Sequence, residues 1–205
     1  MATRILPAEH GALPATLQTF LARIGKTGVP PLSLFLTLGQ SARAWAKFSA
    51  GSLLDEDSPL SLRERELVIN RTCALTRCEY EWGVHVWMFA AAAGLSRGDV
   101  AGTLERPIDP SRWSDAEQAL LETVDALHDR STLSDDQFDR LKTYFEPAQV
   151  FEIFQLCGFY HQVAFIANGL GLPLEPAGAR FEEYWQEGPR SPHSQDAAVE
   201  DELAS

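Results

Sequence analysis

Apolar positions recur along most of the chain at intervals of three and four residues, the spacing of an α-helix with one buried side. This spacing predicts a short helix from Ala15 to Ile24 and a longer one from Pro31 to about Leu54. Helices are also predicted over Cys78 to Ala93 and Ala148 to Leu170. The second of these, and the first from Val84 onwards, are apolar on nearly all sides, which is typical of helices buried on several sides. Because no strand-like alternation is present, the sequence predicts an all-α fold with about seven to nine helices.

Capping-box patterns, in which an acidic or amide side chain follows a serine by three residues, mark further helix starts. They are Ser61–Glu64, Ser96–Asp99, Ser114–Glu117 and Ser134–Gln137, opening helices over about 62–75, 97–104, 116–128 and 135–145. A short helix over Phe181–Trp185 completes the prediction. We expect one domain over residues 1–187 with its core in 31–175, followed by a disordered acidic tail over 188–205.

Charge and hydropathy restrict the classes of partner. The 205 residues carry a formal net charge of −12, so we expect neither nucleic acid nor an anionic membrane as a partner. The first residues lack a secretory pattern and no apolar run has the length of a membrane span, which favours a cytoplasmic protein.

Three cysteines form no even framework and are expected as free thiols. No paired metal-ligand spacing is present, so we expect no metal and no cofactor.

The candidate chemistry lies between Glu66 and His85. If Cys78 opens a helix, His85 follows two turns later on the same face, and Glu81 lies between them at spacings that allow contact. Glu66 is aligned with inward-facing residues of the preceding helix. A thiol, two carboxylates and an imidazole are therefore expected close together.

Each of these residues also has a purely structural interpretation. Cys78 is either a thiolate with a pKa below about 8.5, stabilised by a helix N-terminus and Arg77, or a small buried apolar residue. His85 and His161 are either site residues or core histidines bonded to backbone carbonyls. Glu66 belongs to a run of charges that is equally compatible with a solvated surface. Glu81 and His85 are also spaced for a surface ion pair.

Between about Pro31 and Glu175, the chain resembles the carboxymuconolactone decarboxylase and alkylhydroperoxidase D family. The resemblance is carried by Arg65-Glu66-Leu67, by Cys78-x-Tyr80-Glu81-Trp82-x-x-His85 and by Ala91-x-x-Gly94-Leu95-Ser96. In the peroxidase branch, a Glu precedes a Cys-x-x-Cys pair and a His follows it, and Glu66, Cys78 and His85 match those positions. Glu81 replaces the second cysteine, so we expect at most slow peroxide chemistry.

The decarboxylase branch has an aromatic-Glu-aromatic-x-x-His element, to which Tyr80 to His85 corresponds. This resemblance implies acid–base chemistry, decarboxylation or isomerisation, on a small anionic carbonyl or lactone compound. His85 with Glu66 or Glu81 would deliver the proton, and Arg71 or Arg77 would hold the anion. We expect substrate-binding roles for Tyr80, Trp82, Arg71, Arg77 and His161.

Two other functions remain open at this stage. One is a one-cysteine peroxidase or thiol oxidoreductase centred on Cys78, and the other is a non-catalytic helical protein that holds a small molecule. The apolar helices offer more apolar surface than one core needs. Together with the resemblance, this surface predicts a homo-oligomer.

Overall fold

The computed structural model describes residues 3–184, which contain ten α-helices, two single 3₁₀ turns and no strand. The α-helices are α1 (Ala15–Gly25), α2 (Ser33–Leu38), α3 (Ala42–Ala50), α4 (Leu62–Leu75), α5 (Glu79–Phe89), α6 (Arg97–Gly102), α7 (Asp115–Arg130), α8 (Asp135–Tyr144), α9 (Pro147–Leu170) and α10 (Phe181–Tyr184). The all-α prediction is confirmed, with more helices than the seven to nine expected. The predicted tail over 188–205 lies outside the described residues.

The extra helix arises because the single helix expected over residues 31–54 is two helices. Helix α2 ends at Leu38, and the side chain of Ser41 accepts a hydrogen bond from the backbone N–H of Ala44 to begin α3. The apolar stripe survives the break, since Leu34 and Trp45 are both buried. Helix α5 is also shorter than expected and ends at Phe89.

Helix α4 lies at the centre of the molecule and packs against α5, α7 and α9. Its capping box between Ser61 and Glu64 forms as expected, and every residue from Arg65 to Cys73 is buried. A helix enclosed on several sides must provide partners for its charged side chains within the protein. The chemistry around α4 therefore depends on the partners of its buried charged side chains, which are Arg65, Glu66 and Arg71.

Helix α9 forms the other long wall of the core. By length and composition alone it is long and apolar enough to cross a membrane, the one such helix among residues 3–184. It packs against α4, α5, α7 and α8, as a core helix of a bundle does. Its inward side carries Tyr160 towards α4 and α5.

Candidate active site

Glu66 and His85 form a buried pair between α4 and α5. Oε2 of Glu66 lies 2.8 Å from Nδ1 of His85, and neither side chain is more than 2% exposed. The two helices follow each other after a short turn, so their facing sides bring the carboxylate and the imidazole into contact. The Glu66 carboxylate thereby fixes the orientation of the ring and accepts a hydrogen bond from Nδ1–H.

The other ring nitrogen of His85 faces two further polar groups. Nε2 lies 3.0 Å from the hydroxyl of Tyr160 on α9 and 3.4 Å from Oε1 of Glu81, one turn earlier on α5. Tyr160 was not predicted as a site residue. Tyr160 lies in an apolar stretch beside His161, and the sequence does not show which way its side chain points. Its contact with His85, 75 positions away, depends on how α9 packs.

The surroundings favour the charged form of His85. Burial alone would lower its pKa, but the Glu66 and Glu81 carboxylates outweigh burial and raise the pKa to about 9. Burial raises the pKa of the Tyr160 hydroxyl well above its ordinary value, and the carboxylates of Glu81 and Glu66 act in the same direction. The site thus holds an imidazolium next to a neutral phenol at neutral pH.

A cavity of about 820 Å³ opens beside this cluster. Glu81, His85 and Tyr160 are part of its wall, whereas Glu66 lies behind His85 and does not line it. The rest of the wall combines aliphatic and polar side chains with six aromatic ones, which are Phe20, Phe35, Trp45, Phe48, Phe89 and Phe159. An apolar cavity of this size with a few convergent polar groups is typical of small-molecule sites.

Two carboxylate oxygens of the cluster have no hydrogen-bond donor. They are Oε2 of Glu81 and Oε1 of Glu66, both buried. Nε of Arg65 lies 3.6 Å from the Glu66 oxygen and offsets its charge without a hydrogen bond. Glu81, only 7% exposed, borders the cavity. Oε2 of Glu81 itself has almost no accessible surface, so the cavity is bordered by other atoms of this side chain.

The prediction of a low pKa for Cys78 is wrong. Cys78 is fully buried, and burial raises its pKa to about 12, an effect that the backbone N–H of Glu81 opposes only in part. Arg77 beside it is exposed. Cys78 is the N-cap of α5 and lies outside its helical turns. The helical spacing between Cys78 and His85 therefore does not predict where the Cys78 side chain points. It does not line the cavity, and all three cysteines are buried free thiols.

The predicted anion-binding arginines are not placed for that role. Arg71 is buried, and its guanidinium forms two hydrogen bonds to the Asp125 carboxylate, at 2.6 and 2.7 Å. It also donates to the backbone carbonyls of Thr103 and Glu105. Arg77 is exposed at the turn before α5, with a left-handed φ of 52°. Neither arginine lines the cavity.

The aromatic residues beside Glu81 point away from the cavity, because neighbouring positions on a helix face different directions. The hydroxyl of Tyr80 donates to Glu175 at 2.6 Å and accepts from the backbone N–H of Leu34. The indole N–H of Trp82 donates to the hydroxyl of Thr103 at 3.1 Å. Tyr80 and Trp82 thus join α5 to its neighbours, and their predicted substrate-binding roles find no support.

His161 is also outside the cavity wall. Its Nδ1 lies 2.7 Å from the carbonyl oxygen of Cys157, and its Nε2 lies 3.0 Å from Nδ1 of His128. Both of its ring nitrogens therefore have partners within the protein. This arrangement matches the interpretation of a satisfied core histidine and not the substrate-binding one.

The segment after α9 closes over α5 at a glycine. The backbone N–H of Ala179 donates to the carbonyl of Gly83 at 3.0 Å, and a Cβ on Gly83 would lie 2.3 Å from the Ala179 carbonyl oxygen. A side chain at position 83 would separate the two segments.

Among residues 3–184, no group of three His, Cys, Asp or Glu side chains is arranged to hold a metal ion.

Comparisons with known proteins agree with this architecture. Residues 39–125 match the model of the carboxymuconolactone decarboxylase family. A peroxidase-related protein with an alkylhydroperoxidase AhpD core from Ralstonia eutropha JMP134 is 21% identical, with a TM-score of 0.70 over 85% of this chain and 93% of that one. A peroxidase-related protein from Silicibacter sp. TM1040 is 18% identical, with a TM-score of 0.69 over 89% and 96%.

The same fold occurs in the debrominase Bmp8, solved in complex with 2,3,4-tribromopyrrole. It is 17% identical, with a TM-score of 0.70 over 86% of this chain and 94% of that one. At these identities the structural likeness shows the fold alone. A comparison with curated protein sequences found no significant match.

Proposed function

We propose that this protein, residues 39–125 of which match the carboxymuconolactone decarboxylase family model, is an acid–base enzyme that moves a proton between carbon atoms of a small carbonyl compound. The observation that carries the proposal is the position of His85. A buried imidazole held between the Glu66 and Glu81 carboxylates forms part of the wall of an apolar cavity. This is an arrangement suited to proton transfer.

The roles of three side chains follow from their contacts. Nε2 of His85, when protonated, donates to the hydroxyl oxygen of Tyr160, which leaves the phenolic O–H free to donate into the cavity. A substrate carbonyl oxygen there would receive that hydrogen bond as negative charge develops on it. The carboxylate of Glu81, a residue of the cavity wall, would act as the base.

The reaction that uses these groups is the isomerisation of a β,γ-unsaturated carbonyl compound. Glu81 removes a proton from the carbon next to the carbonyl, and the electrons of that C–H bond form a dienolate whose oxygen is bound by Tyr160. The protonated Glu81 then returns the proton to the γ-carbon, and the electrons on oxygen re-form the C=O bond. The product is the conjugated isomer, and no co-reactant is consumed.

Decarboxylation is less well supported because it needs a cation to bind the leaving carboxylate. Arg71 is bonded to Asp125, and Arg77 is exposed away from the cavity. The cavity wall contains one arginine, Arg23, which is exposed. A substrate carboxylate would therefore meet the Glu81 carboxylate without a buried guanidinium to offset it.

A thiol mechanism has weaker support than acid–base chemistry. A peroxidase needs a thiolate that meets the peroxide, whereas the Cys78 thiol is buried, has a raised pKa and does not line the cavity. Glu81 occupies the position at which the peroxidase branch has its second cysteine. The same side chain is the proposed base.

The proposal is tested by hydrogen exchange at carbon. The protein is incubated in D₂O with a panel of neutral ketones and β,γ-unsaturated ketones, and deuterium entry at the α- and γ-carbons is followed by proton NMR. We expect catalysed exchange by the wild-type protein, a fall of about 100-fold or more for Glu81→Gln and for His85→Asn, and about 10-fold or more for Tyr160→Phe.

Cys78→Ser is the matched control, because it alters a buried group on the same helix start without touching the cavity. Its exchange rate should equal that of the wild type. A rate that falls with Cys78→Ser and not with His85→Asn would contradict the proposal and favour the thiol mechanism.

A further inference from the structure

Arg65 is a buried arginine of α4 that the proposed mechanism does not use. It is 8% exposed and does not line the cavity. Its Nε lies 3.6 Å from Oε1 of Glu66, and its Nη1 donates to the backbone carbonyl of Asp55 at 3.4 Å. Within the described part of the chain, neither Nε of Arg65 nor Oε1 of Glu66 has a hydrogen-bond partner. The two atoms therefore interact as opposite charges and not through a hydrogen bond.

The buried charges around His85 sum to zero only when Arg65 is counted. The His85 imidazolium lies between the carboxylates of Glu66, at 2.8 Å, and Glu81, at 3.4 Å, so these three groups carry one net negative charge. Arg65 adds the positive charge that makes the cluster neutral. A buried excess charge is costly because the protein interior solvates it poorly, so a charged cluster tends to gain or lose a proton instead.

The other titratable groups near the cluster do not contribute to this balance. Burial raises the pKa of the Tyr160 hydroxyl and of the Cys73 thiol well above their ordinary values, so both groups are neutral at pH 7. The remaining charged residues of the cavity wall are exposed, and water screens them. They are Arg23, Asp55, Glu56 and Asp57. The charge of the cluster therefore depends on Arg65.

We propose that Arg65 is a positioning residue of the site, whose positive charge keeps the Glu66 and Glu81 carboxylates ionised while His85 is protonated. Glu81 can then accept a proton from a substrate at neutral pH while His85 donates its hydrogen bond to Tyr160. Without the charge of Arg65, the cluster holds its protons more tightly. The inference rests on the proposed function only for the role of Glu81 as the base.

The titration of His85 in Arg65→Gln tests the proposal without turnover. The substitution removes the charge and keeps a side chain that can donate to the carbonyl of Asp55. The ¹⁵N chemical shifts of the His85 ring are followed against pH in the full-length protein. We expect a midpoint at least about 0.5 pH unit above the wild-type value near 9, because loss of a nearby positive charge strengthens proton binding. Arg65→Lys keeps the charge and should keep the wild-type midpoint.

Arg63→Gln is the matched control. Arg63 lies two residues earlier on α4, and its guanidinium pairs with Glu117 and Asp99, away from the cluster. Its loss should leave the His85 midpoint unchanged, whatever the effect on stability. A His85 midpoint in Arg65→Gln that equals the wild-type value overturns the proposal, because the role of Arg65 would then be structural only.

A double variant separates the charge of Arg65 from its shape. In Arg65→Gln with Glu66→Gln, the remaining charges of Glu81 and His85 again sum to zero. The double variant should therefore unfold at a higher urea concentration than Arg65→Gln, and it should fold even where Arg65→Gln does not. A double variant that is less stable than Arg65→Gln, or that does not fold, overturns the proposal.

The pH dependence of carbon exchange provides a second readout. In Arg65→Gln, the exchange rate on neutral ketones should reach half its maximum, on the acidic side, at a pH at least about 0.5 unit higher than in the wild type. A raised His85 midpoint without any exchange by the wild type supports this inference and contradicts the proposed function. Exchange by the wild type with an unchanged midpoint in Arg65→Gln overturns this inference alone.

Discussion

Oε2 of Glu66 lies 2.8 Å from Nδ1 of His85, and the two side chains are sealed from solvent between α4 and α5. The same ring presents its other nitrogen to Tyr160 at 3.0 Å, and Tyr160 borders the cavity. The pair therefore connects a buried carboxylate to the hydroxyl group of a residue in the cavity wall. In the proposed mechanism His85 donates a hydrogen bond to Tyr160, and the protonation state of His85 determines how the protein should respond to pH.

Stability should fall as the pH rises from about 6.5 to about 9. The pKa of His85 is raised from 6.5 to about 9 in the folded state, so its stabilising effect is fully present below the unfolded pKa and is lost as pH passes through the folded one. The loss amounts to about 3 kcal/mol at most. Urea unfolding of the wild type and His85→Gln across this range measures it. Parallel stability curves for the two proteins would contradict the assignment.

Cys78 should be unreactive in the folded protein. Its thiol is buried and its pKa is raised to about 12, so the thiolate that attacks an electrophile is nearly absent at pH 8. Labelling with iodoacetamide, followed by mass spectrometry, should modify none of the three cysteines in native protein and all three in urea. Rapid native labelling at Cys78 would revive the thiol mechanism.

Arg71→Ala should destabilise the fold by about 3 kcal/mol. The substitution leaves the Asp125 carboxylate and two backbone carbonyls without their donor, and loss of one partner of a buried pair is strongly destabilising. Arg77→Lys, at an exposed turn, should change stability by less than about 0.5 kcal/mol. Urea unfolding of both variants decides the point. A loss below about 1 kcal/mol for Arg71→Ala would show that its role is not structural.

We propose that the outer face of α9 joins two copies of the chain. Phe151, Phe154 and Phe165 are exposed on this helix, with relative exposures of 67%, 36% and 73%, and the exposed residues between them are uncharged. A monomer rarely exposes an apolar stripe of this kind, and a neutral stripe can pack on its own copy across a two-fold axis.

Substitution of Phe165 tests this association. Phe165→Glu should lower the oligomeric mass measured by light scattering, because a two-fold contact would bring the two carboxylates together. Phe138→Glu, which changes an exposed aromatic residue on α8, should leave the mass unchanged. A wild-type protein that is monomeric at about 100 μM would contradict the expected self-association.

Local patterns were sufficient to predict most of the fold. The capping boxes at Ser61, Ser96, Ser114 and Ser134 all form, because a cap is an interaction between residues three positions apart. The break between α2 and α3 was missed, since the apolar spacing continues across it. The cap at Ser41 is also local, but position 44 is alanine and not an acidic or amide residue, so the sequence has no capping-box pattern there.

The site was predictable only in part, because several of its contacts join residues far apart in the sequence. Helical spacing indicated that Glu81 and His85 lie on one face, and the structure has them 3.4 Å apart. The sequence predicts an anion-binding role for Arg71 because local spacing does not reveal its partner Asp125, which lies 54 residues later. The position of Tyr160 depends on the packing of α9. The orientation of the Cys78 side chain depends on the backbone conformation of an N-cap residue, which helical periodicity does not describe.

The protonation state of His85 tests the central claim most directly. In protein labelled with ¹⁵N at histidine, the chemical shifts of Nδ1 and Nε2 distinguish an imidazolium from a neutral ring. We predict an imidazolium for His85 at pH 7 with a titration midpoint near 9, and a midpoint that moves down in Glu66→Gln because the carboxylate that favours the charge is lost. A neutral His85 ring at pH 7 in the wild-type protein would contradict the proposed hydrogen bond from His85 to Tyr160 and the mechanism built on it.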